Sequence, residues 1–229
     1  MARGAVQGGD DTGDLYPMSL YLRVHPQNPQ PRLIAQAVAA VRQGGVAVYP
    51  TDSCYALGCA IDAKGAQERI RRIRRLPEKH DFTLMCRDLA EAALYARLDN
   101  RAYRLLRSLV PGPYTFLLKA TREVPRRLQN PKRKTIGIRI PDHPVALALL
   151  EALGEPMLSS TLILPGEEHP LTDPEEIRAR LEKQVDVIID AGPGGLEPST
   201  VVDLTGDIPV VVRRGKGPLE ALGDYEELQ

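Results

Sequence analysis

Gly45-Val46-Ala47-Val48-Tyr49-Pro50-Thr51-Asp52-Ser53-Cys54-Tyr55-Ala56-Leu57-Gly58 is one short strand running into one polar turn. Residues 45–49 are apolar and partly β-branched, the pattern of a buried strand. Pro50 has no amide hydrogen to donate and ends the ladder. Thr51, Asp52, Ser53 and Tyr55 then place four polar side chains at a strand end, where open α/β sheets keep their ligand sites. Taken alone, the same residues also describe a polar turn closed by Asx or Ser/Thr hydrogen bonds.

Outward from this turn the pattern alternates. Pro31 opens a helix with Leu33, Ile34, Val38 and Val41 on one face, closed by Gly44-Gly45. Asp62 is placed to cap a helix carrying Ile70 and Ile73, ended by Leu76-Pro77. Strands are expected over residues 82–86, 114–119, 135–140, 157–161, 185–189, 200–204 and 209–213. Asp88 and Asn100 are candidate caps for two helices. The first of these turns Leu89, Leu94 and Leu98 inward. The second does the same with Leu105, Leu106 and Leu109. A further helix spans residues 142–153, and Asp173-Pro174-Glu175-Glu176 starts another with a cap, a first-turn proline and acids at the positive dipole end. Several strands are too close in sequence for a crossover helix, which implies antiparallel pairs. The class is α/β with α+β character, one domain around a mixed sheet.

Composition bounds the function more loosely. The chain has 229 residues, with 30 Lys and Arg balancing 30 Asp and Glu. Net charge therefore argues for no charged partner. Cys54, Cys59 and Cys86 have no metal-ligand spacing and read as reduced, structural thiols of a cytoplasmic protein. No apolar run approaches the ~20 residues of a membrane span. Residues 1–15 read as a flexible extension, 16–217 as the domain and 218–229 as an acidic tail of short helix and frayed end. There is no Walker loop, paired-glycine dinucleotide motif, His-Glu-x-x-His or Gly-x-Ser-x-Gly. The histidines His25, His80, His143 and His169 read as structural or surface residues. Basic residues cluster around Arg69–Lys79, Arg122–Lys134 and Arg213–Lys216. Each cluster alone is a solvated face; together they are a candidate phosphate-binding surface.

Five segments, in order, resemble the YrdC-like domain family of threonylcarbamoyl-adenylate synthases. They are the turn at residues 49–58, Pro111-Gly112-Pro113-Tyr114-Thr115, Gly137-Ile138-Arg139-Ile140-Pro141, Pro198-Ser199-Thr200-Val201-Val202-Asp203 and Val212-Arg213-Arg214-Gly215. The resemblance covers roughly residues 28–217, nearly the whole ordered chain. It implies a twisted mixed parallel and antiparallel sheet whose concave face forms a cleft, flanked by helices. It also implies a nucleotidyltransferase that condenses L-threonine, bicarbonate and ATP with magnesium, for threonylcarbamoyladenosine modification of tRNA. On this resemblance Arg74 and Thr51 are candidate catalytic residues. Thr51, Tyr55 and Thr115 are candidates for threonine or bicarbonate. Arg74, Arg139, Ser159, Thr161, Ser199 and Arg213 are candidates for the nucleotide. No resident metal site is implied.

Two positions depart from the family pattern. Arg74-Arg75-Leu76-Pro77 stands where the family has Lys-x-Arg-Pro, and Thr161-Leu162-Ile163 where it has Ser-x-Asn. Arg74 keeps a charge; Leu76 loses one, unless Arg72, Arg75 or Lys79 replaces it. Ile163 cannot make an asparagine's hydrogen bonds. Both changes resemble the YciO-like branch and imply weak or altered synthase activity. Two other readings stay open: a non-catalytic protein binding double-stranded RNA or tRNA on a basic concave surface, and an enzyme of the same fold with a different small substrate.

Overall fold

The computed structural model describes residues 18–77 and 81–228. The expected extension at residues 1–15, and Lys79 and His80, lie outside the described residues. The strands are β1 (Leu20–Arg23), β2 (Ala47–Tyr49), β3 (Ala56–Ala60), β4 (Thr83–Met85), β5 (Tyr114–Lys119), β6 (Thr135–Arg139), β7 (Met157–Thr161), β8 (Val187–Asp190), β9 (Thr200–Asp203), β10 (Val210–Arg213) and β11 (Glu226–Glu227). The helices are α1 (Pro31–Arg42), α2 (Lys64–Arg74), α3 (Leu89–Tyr95), α4 (Asn100–Leu109), α5 (Pro144–Leu153) and α6 (Pro174–Leu181). The strands form one mixed sheet in the order β1-β8-β2-β3-β7-β4-β6-β5-β9-β10-β11. The expected class therefore holds: a single α/β domain built on a mixed sheet flanked by helices.

Alternation along the strands divides the core in two. Val48, Leu57, Leu84, Phe116, Ile138, Leu158 and Val202 pack on one face with residues of α2, α4 and α6. Ala47, Tyr49, Ala56, Met85 and Met157 face the other way, against α1 and α5. Helix α1 buries Ile34, Ala37, Val38 and Val41, which is the expected face. The short link between β9 and β10 makes the expected antiparallel pair.

Several local expectations are corrected. Asp99, not Asn100, caps α4, its carboxylate accepting from Ala102 N at 2.7 Å. Ala63 precedes α2 without any side-chain cap, so Asp62 does not serve. Leu94 is 60% exposed, because α3 ends at Tyr95 after barely two turns and Ala92 and Glu91 carry its buried side. Strands β1 and β3 carry no turn-bounded alternation and were not expected. Pairing decides both: β1 runs parallel to β8, and β3 is antiparallel to β2 and β7. The acidic tail does not simply fray. After a short 3-10 turn at Glu220–Leu222 it adds β11 parallel to β10.

Candidate functional site

Beyond α1 and α5, their face of the sheet continues over β4, β6, β5 and β9 as an open cleft of about 220 Å³. The strands set its floor by parity. Thr83, Gly137, Thr115 and Val201 line it or its base, while their neighbours Leu84, Ile138, Phe116 and Val202 are core on the far side. A Cβ on Gly137 would stand 3.0 Å from Thr83 Oγ1 and 3.4 Å from Thr115 Cγ2, so glycine lets β4, β6 and β5 pack closely there.

The structure brings seven of the nine candidate residues around this cleft: Arg74, Thr115, Arg139, Ser159, Thr161, Ser199 and Arg213. Three of them are guanidinium groups from separate parts of the chain. Arg74, the last residue of α2, donates from Nε to Ile163 O at 3.1 Å and from Nη1 to Ser160 Oγ. Arg213, at the end of β10, donates from Nη2 to Ser199 O at 2.7 Å and to Ser199 Oγ at 3.3 Å. Ser199 Oγ in turn lies 2.8 Å from Thr115 Oγ1. Arg139 alternates with Ile138 and Ile140 and so points away from them, which fits a cleft residue and a salt bridge equally; it is both, lining the cleft and pairing with Asp52. Its Nη2 donates to Asp52 Oδ1 at 2.6 Å, Ser53 Oγ at 3.0 Å and Thr51 Oγ1 at 3.2 Å. Ser159 Oγ accepts from Tyr49 Oη at 2.7 Å.

Negative charge is scarce here. Among the described residues Asp81 is the one carboxylate lining the cleft, and it accepts from Asn130 Nδ2 at 2.9 Å. Asp52 sits behind Arg139. Burial, then repulsion from Arg213, lowers the Arg74 pKa; burial, then repulsion from Arg139, lowers that of Arg213. An anion in the cleft would reverse both effects. Guanidinium forks suit phosphate or carboxylate oxygens.

Thr51 and Tyr55 stand elsewhere. Thr51 Oγ1 organises its own turn, accepting from Ser53 N and Cys54 N at 3.2 Å each and donating to Cys54 O at 2.6 Å. Thr51 faces a second cavity of about 520 Å³. Tyr55 is fully buried and lines neither cavity. Its Oη donates to Gly192 O at 2.8 Å and accepts from Ala191 N at 3.3 Å. Burial pushes this phenol far above its ordinary range. A Cβ on Gly194 would fall 2.6 Å from the Tyr55 ring, so the 191–195 loop rests on that ring. Tyr55 thus anchors a loop, and a direct substrate contact is not its place in the fold. Tyr55→Phe should lower stability by about 0.5–1.5 kcal/mol for each hydrogen bond lost. Urea unfolding would check this; an unchanged midpoint would sink the anchoring role.

The two departures are also placed. Ile163 lines the cleft with an apolar side chain, while its carbonyl holds Arg74. Leu76 is half-buried and does not line the cleft. Arg72 and Arg75 border a separate depression beside Arg180, so neither replaces the missing charge. Ser160, Ser53, Asp52 and Asp81 belong to the site and were missed as site residues. Asp52 and Ser53 were visible in the turn, Ser160 adjoined a chosen serine, and Asp81 had no signal. Cys54 lines the cleft but is 1% exposed, and burial raises its thiol pKa. All three cysteines are buried and free.

The basic clusters are largely tied into the fold. Arg69 pairs with Asp186, Arg71 with Glu68, Arg133 with Asp203 and Arg214 with Glu227. Arg127 donates to Ile61 O at 2.6 Å, and Lys216 to Asp52 O. No helix among the described residues is long and apolar enough to cross a membrane.

A family model spanning Sua5, YciO and YrdC, described as telomere recombination, matches residues 39–215. The chain belongs to the Sua5/YciO/YrdC family. It is 63% identical to YciO of Escherichia coli K12 over 203 residues, covering 89% of this chain and 98% of that protein. The crystal structure of E. coli YciO superposes with a TM-score of 0.86 over 90% of this chain and all of that one. A threonylcarbamoyl-AMP synthase of Halorhodospira halophila is 31% identical over 178 residues, 77% of this chain and 92% of the synthase. P. abyssi Sua5 in complex with L-threonine gives a TM-score of 0.83 at 27% identity, covering 92% of this chain and 63% of Sua5. The family thus links this chain to threonylcarbamoyl-AMP synthases.

Proposed function

We propose that this protein is a nucleotidyltransferase of the threonylcarbamoyl-adenylate type, slower than its synthase relatives. The observation that carries the reading is the convergence of Arg74, Arg139 and Arg213 on one cleft with a single lining carboxylate among the described residues. In the reaction, L-threonine and bicarbonate give a carbamate and water. A carbamate oxygen attacks the α-phosphorus of ATP, the bond to the β-phosphate oxygen breaks, and pyrophosphate leaves. Fixed guanidiniums would orient the phosphates and stabilise the charge that develops on them. Thr115 and Ser199, already bonded to each other, offer hydroxyls beside Arg213. Among the described residues no group of three His, Cys, Asp or Glu side chains is placed to hold a metal ion. In this reading magnesium enters with ATP, as part of the substrate.

The slower rate follows from Leu76 and Ile163. Each removes hydrogen-bonding capacity that the resemblance assigns to the nucleotide, and one charged hydrogen bond contributes about 1.5–3 kcal/mol. The test is labelled threonine with ATP, magnesium and bicarbonate, following adenylate and pyrophosphate together. Threonine-dependent formation of both, above an Arg213→Ala control, is expected. Pyrophosphate release indifferent to threonine would overturn the substrate assignment.

A further inference from the structure

A second group of cations lies apart from the cleft. Arg72, Arg75 and Arg180 line a surface depression of about 410 Å³ between the end of α2 and the end of α6. Arg180 is engaged, donating to Glu167 Oε1 at 2.8 Å and to Glu176 Oε1 at 3.2 Å. Arg72 and Arg75 are exposed, and neither guanidinium has an acid or an acceptor among the described residues. Arg75 also stands at φ 50°, a left-handed helix end where glycine is the usual residue. The chain accepts that strain and keeps a cation there.

The floor between the arginines is apolar. Ile73 and Leu164 are buried, and Pro165 joins them. A fitting occupant therefore brings acids and apolar side chains together. A bare phosphate would leave the floor unused.

Such a segment is tethered at the rim. Gln184 lines the depression, and two residues before it the Glu182 carbonyl accepts from Ser19 N at 2.9 Å. Just before Ser19 the sequence reads Asp10-Asp11-Thr12-Gly13-Asp14-Leu15-Tyr16-Pro17, with three acids, no base and two large apolar side chains. At about 3.4 Å per extended residue, Tyr16 reaches about 10 Å from Ser19, Asp14 about 17 Å and Asp10 about 30 Å, enough to cross a depression of this size. A short tether also gives a roughly millimolar effective concentration, which favours this segment over a free partner.

We infer that the depression at Arg72 and Arg75 is the docking site of this chain's own residues 10–17. The aspartates meet the two guanidiniums, and Leu15 and Tyr16 cover Ile73 and Leu164. Arg74, between the two arginines in sequence, lines the cleft, so docking ties the segment to the helix end that supplies a cleft cation.

The sequence contains no tryptophan, so Tyr16→Trp in the full chain is a sole fluorescent reporter, and acrylamide quenching reads its access to water. The indole is expected to quench severalfold less than in a chain that also carries Arg72→Glu and Arg75→Glu, with its emission further to the blue. Asp10→Asn, Asp11→Asn and Asp14→Asn together should release it as well, which leaves α2 unaltered. Salt should release it in part, since surface charges are screened over about 8 Å at physiological ionic strength. Equal quenching with and without the charge changes would overturn the inference. Protection that disappears on dilution would also overturn it, because a second copy would then supply the segment.

Discussion

Arg139→Ala is expected to destabilise the fold by about 3–5 kcal/mol, the cost of breaking a buried pair and stranding its partner. The Arg139 and Asp52 side chains are 7% and 9% exposed, and their ion pair is 2.6 Å long. Removing the guanidinium would leave the Asp52 carboxylate buried with Oδ2 already unpartnered. It would also take a donor from Thr51 Oγ1 and Ser53 Oγ, the two hydroxyls that shape the turn. Urea denaturation measures the loss. The double change Arg139→Ala with Asp52→Ala should recover much of it, because no stranded charge remains. A single variant within about 1 kcal/mol of the natural protein would show that the pair is not the turn's main support. ATP binding reads the second role of the same residue: the double variant should regain stability without regaining affinity.

This dual role explains which parts of the site could be read from the chain. Strand parity sets Arg139 opposite Ile138 and Ile140, which fits a cleft residue and an ion-paired one equally, and it is both. Arg213 and Arg74 were legible as cations at the ends of a strand and a helix. What they bond to was not. Arg74 reaches Ser160 and the Ile163 carbonyl across more than eighty residues of sequence, and nothing local announces such a contact. Tyr55 shows the opposite failure. A tyrosine in a polar turn looks like a binding residue, but the 191–195 loop, 136 residues away, folds over its ring and takes its hydroxyl. The fold followed similar limits. Strands bounded by turn residues, such as β5 and β7, were read at their observed ends. Strands β1 and β3 take their conformation from their partners, and β-propensity depends on such context. The cap of α4 shifted by one residue because Asp99 and Asn100 are both competent caps and only the backbone decides between them.

Arg213→Ala should weaken ATP binding about ten- to hundredfold. The expectation follows from about 1.5–3 kcal/mol for a hydrogen bond to a charged group, with tenfold in affinity for each 1.4 kcal/mol. Arg213 keeps an exposed face at the mouth of the cleft, and the partial burial of its guanidinium first, with the neighbouring Arg139, lowers its pKa. Its present partners are the Ser199 carbonyl and hydroxyl, both neutral. An incoming phosphate would meet a guanidinium with no carboxylate to compete for it, so the new bond is gained at little cost in broken ion pairs. The same argument ranks the three arginines. Arg139 must share its charge with Asp52, and Arg74, like Arg213, has only neutral acceptors. Arg213→Ala and Arg74→Ala should therefore cost ATP affinity while leaving the fold nearly as stable as before, the reverse of Asp52→Ala paired with intact arginines. Arg213→Lys separates charge from geometry: partial recovery is expected, since an ammonium keeps the charge but not the planar fork. Equal ATP affinity in Arg213→Ala and the natural protein would remove the phosphate from this end of the cleft.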